Sequence, residues 1–185
     1  MTEAQTGEIL LDVARAAIAR ELGRNHPSNE EAEWLWASGA SFVTLKQGDR
    51  LRGCIGTLKA HRPLVEDVKS NARNAAFRDP RFPPLSVTEL DRTTIEVSVL
   101  SALERIVSET ETEALAHLRP GIDGVVFEYG YHQSTYLPQV WDDLPDPHEF
   151  LATLKQKAGL PPDFWDANVK LARYTVSKWS EDPSV

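Results

Sequence analysis

Apolar residues at helical spacing open the chain. Ile9, Leu10, Val13, Ala17 and Ile18 recur every three or four positions, which predicts a helix over 6–22 with Gly23 as its stop. The pattern then changes. The run 41–45 reads as a strand, Gln47-Gly48-Asp49 as a turn, and 51–55 as a second strand, making a hairpin. Leu64, Val65, Val68, Ala72 and Ala75 mark a helix over 63–77 with Pro63 in its first turn and Asp79-Pro80 ending it. Pro83-Pro84 keeps the next stretch extended. Ile95, Val97 and Val99 alternate with Glu96 and Ser98, as in a strand over 94–100. A short acidic helix is expected over 109–118. Gly130 divides a hairpin of 125–129 and 132–137, and a helix over 147–158 is closed by Gly159 and Pro161. A last strand over 169–178 is expected to return into an existing sheet. The segment around Trp34 and Trp36 has no clear period.

Hairpins imply antiparallel pairing, and helices are interspersed with them. The expected class is α+β, with mostly antiparallel sheets and flanking helices. With 185 residues, the chain is long enough for one domain, or one domain with a small lobe packed against it.

Charge narrows the function classes. A formal charge of -8 repels phosphate backbones, so no nucleic-acid partner is expected. Cys54 is the one cysteine, which excludes an intramolecular disulfide and thiolate-rich zinc sites. No apolar run reaches the roughly 20 residues of a spanning helix, and the opening residues lack a secretory signal. The expected location is the cytoplasm, away from membranes.

Three stretches carry candidate chemistry. In Leu51-Arg52-Gly53-Cys54-Ile55-Gly56-Thr57, two glycines frame a cysteine. Glycine lets a ligand or another backbone approach closely, and a nearby cation such as Arg52 favours a thiolate. Cys54 is therefore a candidate nucleophile; the ordinary alternative is a buried, inert thiol. In the second stretch, Asn71 and Asn74 neighbour each other on a helix, and Arg78, Asp79 and Arg81 sit in a proline-stiffened corner. Arg78, Asp79 and Arg81 are candidates for holding a substrate carboxylate or phosphate, and an enzyme using Cys54 would bind an anionic group through Arg52 or Arg81; the alternative is an Arg–Asp network bracing a helix end. Glu96 on its strand and Gln139 in Tyr136-Leu137-Pro138-Gln139-Val140-Trp141 complete the set. The five histidines show no metal spacing, and neither a phosphate loop nor a GxSxG elbow is present, so no metal site is expected.

Together these stretches carry a resemblance. Phe42-Val43-Thr44-Leu45, Arg52-Gly53-Cys54-Ile55-Gly56, Phe77 through Leu85, Glu96-Val97-Ser98-Val99-Leu100 and Tyr136 through Trp141 resemble the AMMECR-type domain family, over about residues 10–174. The resemblance implies one domain of a larger and a smaller lobe, with Arg52, Gly53 and Cys54 near a cleft between them. It implies component A of the AmmeMemoRadiSam system, working beside a Memo-like and a radical-SAM protein. It brings no reaction or cofactor with it. The expected binding residues are Arg52, Gly53, Gly56, Asn74, Arg81, Glu96 and Gln139. Two functions remain open: an enzyme or enzyme component using Cys54 on a small molecule, and a noncatalytic module binding a small molecule or a protein.

Overall fold

A capping box starts helix α1 (Glu3–Glu21): Thr2 accepts the Gln5 N–H, and the Gln5 side chain accepts the Thr2 N–H at 2.8 Å. The helix thus begins three residues before the expected start at residue 6. The computed structural model describes residues 2–182. The hairpin expected next is present as β1 (Ser38–Gln47) and β2 (Arg50–Gly56), both longer than their apolar runs. Gly48, at φ 58°, opens the two-residue loop between them, a conformation that suits glycine. A two-residue β3 (Arg62–Pro63) pairs with the start of β1 and leads into α2 (Leu64–Phe77). A one-turn α3 (Val87–Leu90) precedes β4 (Thr94–Leu100).

These elements make a two-layer unit from residues up to Leu100 and those from Ser177 onward. Helix α2 lies on β1 and β2, and α1 packs on α2. The strands alternate as a half-buried sheet requires. Val43, Leu45, Ile95 and Val97 are fully buried beneath the helices with Leu10, Val13, Ile18 and Val68. Each such side chain contributes about 1.5–3 kcal/mol by leaving water. Thr44, Lys46 and Glu96 occupy the opposite, outer face.

The second unit, Ser101–Val176, holds β5 (Glu104–Ile106), α4 (Glu111–Ala116), β6 (Gly124–Tyr129), β7 (His132–Tyr136), α5 (Pro147–Lys157) and β8 (Lys170–Tyr174). Its sheet runs β5-β8-β6-β7 with every pair antiparallel. Trp141 stacks on Phe150 at 3.7 Å between ring centroids, and its indole N–H reaches Asp123 O at 2.7 Å. Lys155 is fully buried, its ammonium held by Glu111 (2.7 Å) and the Phe164 carbonyl (3.0 Å).

The single strand expected over 169–178 is two. β8 inserts between β5 and β6, and β9 (Val176–Ser180) pairs with β4 in the first unit's sheet, whose order is β2-β1-β4-β9. Thr175 makes the break. Its N–H donates to Ser101 Oγ and its carbonyl accepts the Ser101 N–H, both at 2.9 Å, where a continuing ladder would have run on. The α+β class with antiparallel sheets and flanking helices is as expected. Among the described residues no helix is long and apolar enough to cross a membrane.

Candidate functional site

β2 is an edge strand, so the backbone of Cys54 has one side free of sheet partners. That side is filled by side chains from the corner after α2. Asp79 Oδ2 accepts the Cys54 N–H at 2.9 Å, and Arg81 Nη2 donates to the Cys54 carbonyl at 3.2 Å. The corner is itself braced: Asp79 Oδ1 accepts the Arg81 main-chain N–H (3.1 Å) and Nε (3.0 Å), and Phe82 N–H closes a turn onto Asp79 O. Asp79 is buried, and its carboxyl is held far below the usual carboxylate range. The Arg81 hydrogen bond is the main cause, helped by the Cys54 and Arg81 amides and opposed by burial. Arg81 is raised in turn, chiefly by that hydrogen bond, with smaller contributions from the charges of Asp79 and Cys54.

The thiol itself is half-buried, and Thr44 Oγ1 donates to it at 3.3 Å. Thr44 stands opposite Cys54 on one side and opposite Glu96 on the other, so the three form a row across β2, β1 and β4. Glu96 Oε2 accepts from Lys46 Nζ (3.1 Å) and Ser180 Oγ (3.1 Å), and Lys178 Nζ lies 3.7 Å away. The histidines of this unit bond elsewhere, His26 to Asp12 and His61 to the Lys59 carbonyl.

Arg52 is the extra residue of a β-bulge: Leu45 faces Gly53 and Lys46 faces Leu51, so nothing on β1 opposes it. It is 7% exposed and tied to Glu89 by Nε (3.0 Å) and Nη2 (3.3 Å) and to the Pro83 carbonyl by Nη2 (2.9 Å). Its Nη1 is buried without a partner. Glu89 is lowered to about 2, first by the Arg52 hydrogen bond and then by the Ser86 amide. The guanidiniums of Arg52 and Arg81 lie 5.9 and 5.5 Å from the centre of the Phe82 ring.

The two glycines are packing devices. Neither has a positive φ. A Cβ on Gly53 would sit 2.2 Å from the Ala75 carbonyl oxygen of α2, and one on Gly56 would sit 2.2 Å from the Phe42 ring. Gly53 therefore lets β2 press against the helix backbone.

Of the expected residues, Arg52, Gly53, Cys54 and Arg81 come together around Phe82 and the β2 edge, and Glu96 joins through Thr44. Asn74 does not join them by any bond of its own, since its Oδ1 accepts from Arg78 Nη1 at 3.4 Å. Gln139 is exposed in a 3-10 turn (Pro138–Asp142) of the second unit. Two carboxylates escape a reading of the sequence for sites. Glu89 was signalled by Ser86-x-x-Glu89, a capping box. Asp67 gave no signal, yet it is fully buried. It accepts from the Ser41 amide (2.8 Å) and hydroxyl (2.7 Å), from Asn71 (3.0 Å) and from Arg62 (2.8 Å). That network ties α2 to β1 and, through Thr57 and Arg62, holds the segment after Gly56. Among the described residues no group of three or more His, Cys, Asp or Glu side chains is placed to hold a metal ion.

Comparison with known proteins extends over the whole of this architecture. Protein MJ0810 of Methanocaldococcus jannaschii is 42% identical over 186 residues, covering 96% of this chain and 90% of that protein. A protein of Thermococcus gammatolerans is 40% identical over 95% of this chain and 90% of its own length. The crystal structure of the uncharacterized protein PH0010 from Pyrococcus horikoshii superposes with a TM-score of 0.83 at 37% identity, over 96% of this chain and 92% of that one. The AMMECR1 family model matches residues 11–179, and the chain belongs to the AMMECR1 family.

Proposed function

We propose that the working surface of this protein is the outer face of the larger unit's sheet around Cys54. There it serves as an enzyme component acting on a small polar molecule, in company with a Memo-like and a radical-SAM protein. One observation carries the reading: the half-exposed thiol of Cys54 is held in place by side chains that clamp both its own N–H and its own C=O. The clamp caps the open edge of β2, but an ordinary edge residue does not require both of its backbone groups to be fixed by side chains. A thiol that must meet a ligand at fixed geometry does.

A second reading is a noncatalytic module that binds a small molecule or a partner at the same face. It is favoured by the company of the thiol. The group bonded to Sγ is the Thr44 hydroxyl, which is no base at neutral pH, and the unit's histidines bond elsewhere.

The test is alkylation of the native protein between pH 6 and 9, with Cys54→Ala and Cys54→Ser assayed for co-purification of the Memo-like and radical-SAM proteins from the native cell. The first reading expects a native thiol that labels with a defined pH profile, and loss of turnover of the assembled system in Cys54→Ala. Partner binding retained with turnover intact in that variant selects the second. Labelling only after denaturation, with partner binding unchanged in both variants, removes the Cys54 face from either role.

A further inference from the structure

The two arginines that flank Cys54 are the expected holders of an anionic group, but each is already committed. Arg52 is buried on Glu89, and Arg81 turns Nε and Nη2 onto Asp79. The lysines of the same face share a single partner. Lys46 on β1 and Lys178 on β9 both lie against one oxygen, Oε2 of Glu96. Their side chains are 41% and 52% exposed. An ammonium carries three N–H donors, so each keeps donors free for a ligand.

We propose that Lys46 and Lys178 form a clamp for an oxyanion, the carboxylate or phosphate of a small molecule bound beside Cys54. This rests on the reading that the outer face is the working surface, and it names the ligand class for that surface.

Charge and geometry both support it. One carboxylate cannot neutralise two ammonium groups, so the trio is left with one uncompensated positive charge in a chain whose formal charge is -8. Two like charges gathered on one oxygen are a poor way to build stability, because an exposed pair gains little and the second cation repels the first. They are a good way to hold an anion that supplies the missing negative charge. Glu96 acts as a fixed post: it is 9% exposed, set in the interior strand β4, and also accepts from Ser180. Thr44 is paired with Glu96 across the strands and donates to the Cys54 thiol, so one residue on the shared face links the clamp's strand to the thiol's. The ordinary alternative for Lys178 is a charge that guards an edge strand against pairing.

The test follows amide shifts of Lys46, Glu96 and Lys178 in the full isotope-labelled chain, titrated separately with inorganic phosphate and with succinate at constant ionic strength. The expected result is saturable shifts at these three positions. Lys46→Ala and Lys178→Ala should each weaken binding about two- to fivefold, and the double variant should abolish it. Saturation by phosphate alone or succinate alone assigns the anion. Non-saturating shifts with both, or shifts unchanged in the double variant, overturn the clamp. Both lysines are half-exposed, so a preserved spectrum checks the fold, and Lys178→Gln repeats the test with less change in bulk. Saturable phosphate shifts in a protein whose Cys54 labels only after denaturation keep the clamp and remove the thiol's role, so the two fail separately.

Discussion

Asp79 Oδ2 stands 2.9 Å from the main-chain nitrogen of Cys54, in the place a neighbouring strand's carbonyl would take. A side chain thus completes the edge of the sheet at the one residue whose thiol is at issue. Removing the carboxylate strands a partly buried N–H and frees Arg81. Asp79→Ala should cost about 1–2 kcal/mol in urea unfolding, since the donor left unmade is partly buried. It should also speed alkylation of Cys54. Unchanged stability with unchanged alkylation would mean that water replaces the clamp at no cost.

Acid should act through the same corner. Glu89 and Asp79 are both held below their ordinary values, so their contributions are fully present above the unfolded carboxylate range. They are lost as pH falls through the folded values, which for Glu89 is toward about 2. Chemical denaturation between pH 5 and 2 should show falling stability, and Glu89→Gln should flatten that slope. A variant with the parent's slope would assign the acid sensitivity elsewhere.

Gly53→Ala places a methyl carbon against the Ala75 carbonyl oxygen, where only backbone movement can relieve the clash. We expect a loss of about 2 kcal/mol or more, in the range of overpacked cores. Gly56→Ala meets the Phe42 side chain instead, and a rotated ring relieves part of the strain, so its melting temperature should fall less. Equal melting of both variants and the parent would refute the packing role of these glycines.

Arg62 joins the buried carboxylate of Asp67 to the segment that follows Gly56. Asp67→Ala leaves Arg62 without its charge partner and the buried Ser41 amide and hydroxyl without their acceptor. It should destabilise by about 3 kcal/mol or more, whereas the half-exposed Arg62→Lys should lose less. Unfolding curves of the two variants compare them directly.

Much of this was legible in the chain. Alternation around Val43, Ile95 and Val97 placed the sheet, and the two-residue loop at Gly48 set the hairpin that carries Cys54. What the pattern could not carry was side-chain bonding at a distance. Nothing local distinguishes Asn71, buried on Ser41 and Asp67, from Asn74, which faces Arg78. Nor does the alternation announce a bulge, which turns Arg52 toward Glu89 although an unbroken strand would set it on the thiol's face. The apolar run through 169–178 hid a change of sheet, because Leu171 and Trp179 suit two different cores equally well.

The stitch between Ser101 and Thr175 sets the order of assembly. The smaller unit is one unbroken stretch of chain, and Ser101 and Thr175 at its two ends are bonded to each other. The larger unit is split, and β4 waits for β9 across that whole stretch. During synthesis the smaller unit can close while the larger still lacks an edge strand. Trp179 then seals the larger one by packing over Gly7, where even a methyl group would intrude. Helix α1 is thus finished by β9, so the surface that carries Cys54 reaches its final form only once that strand has joined β4.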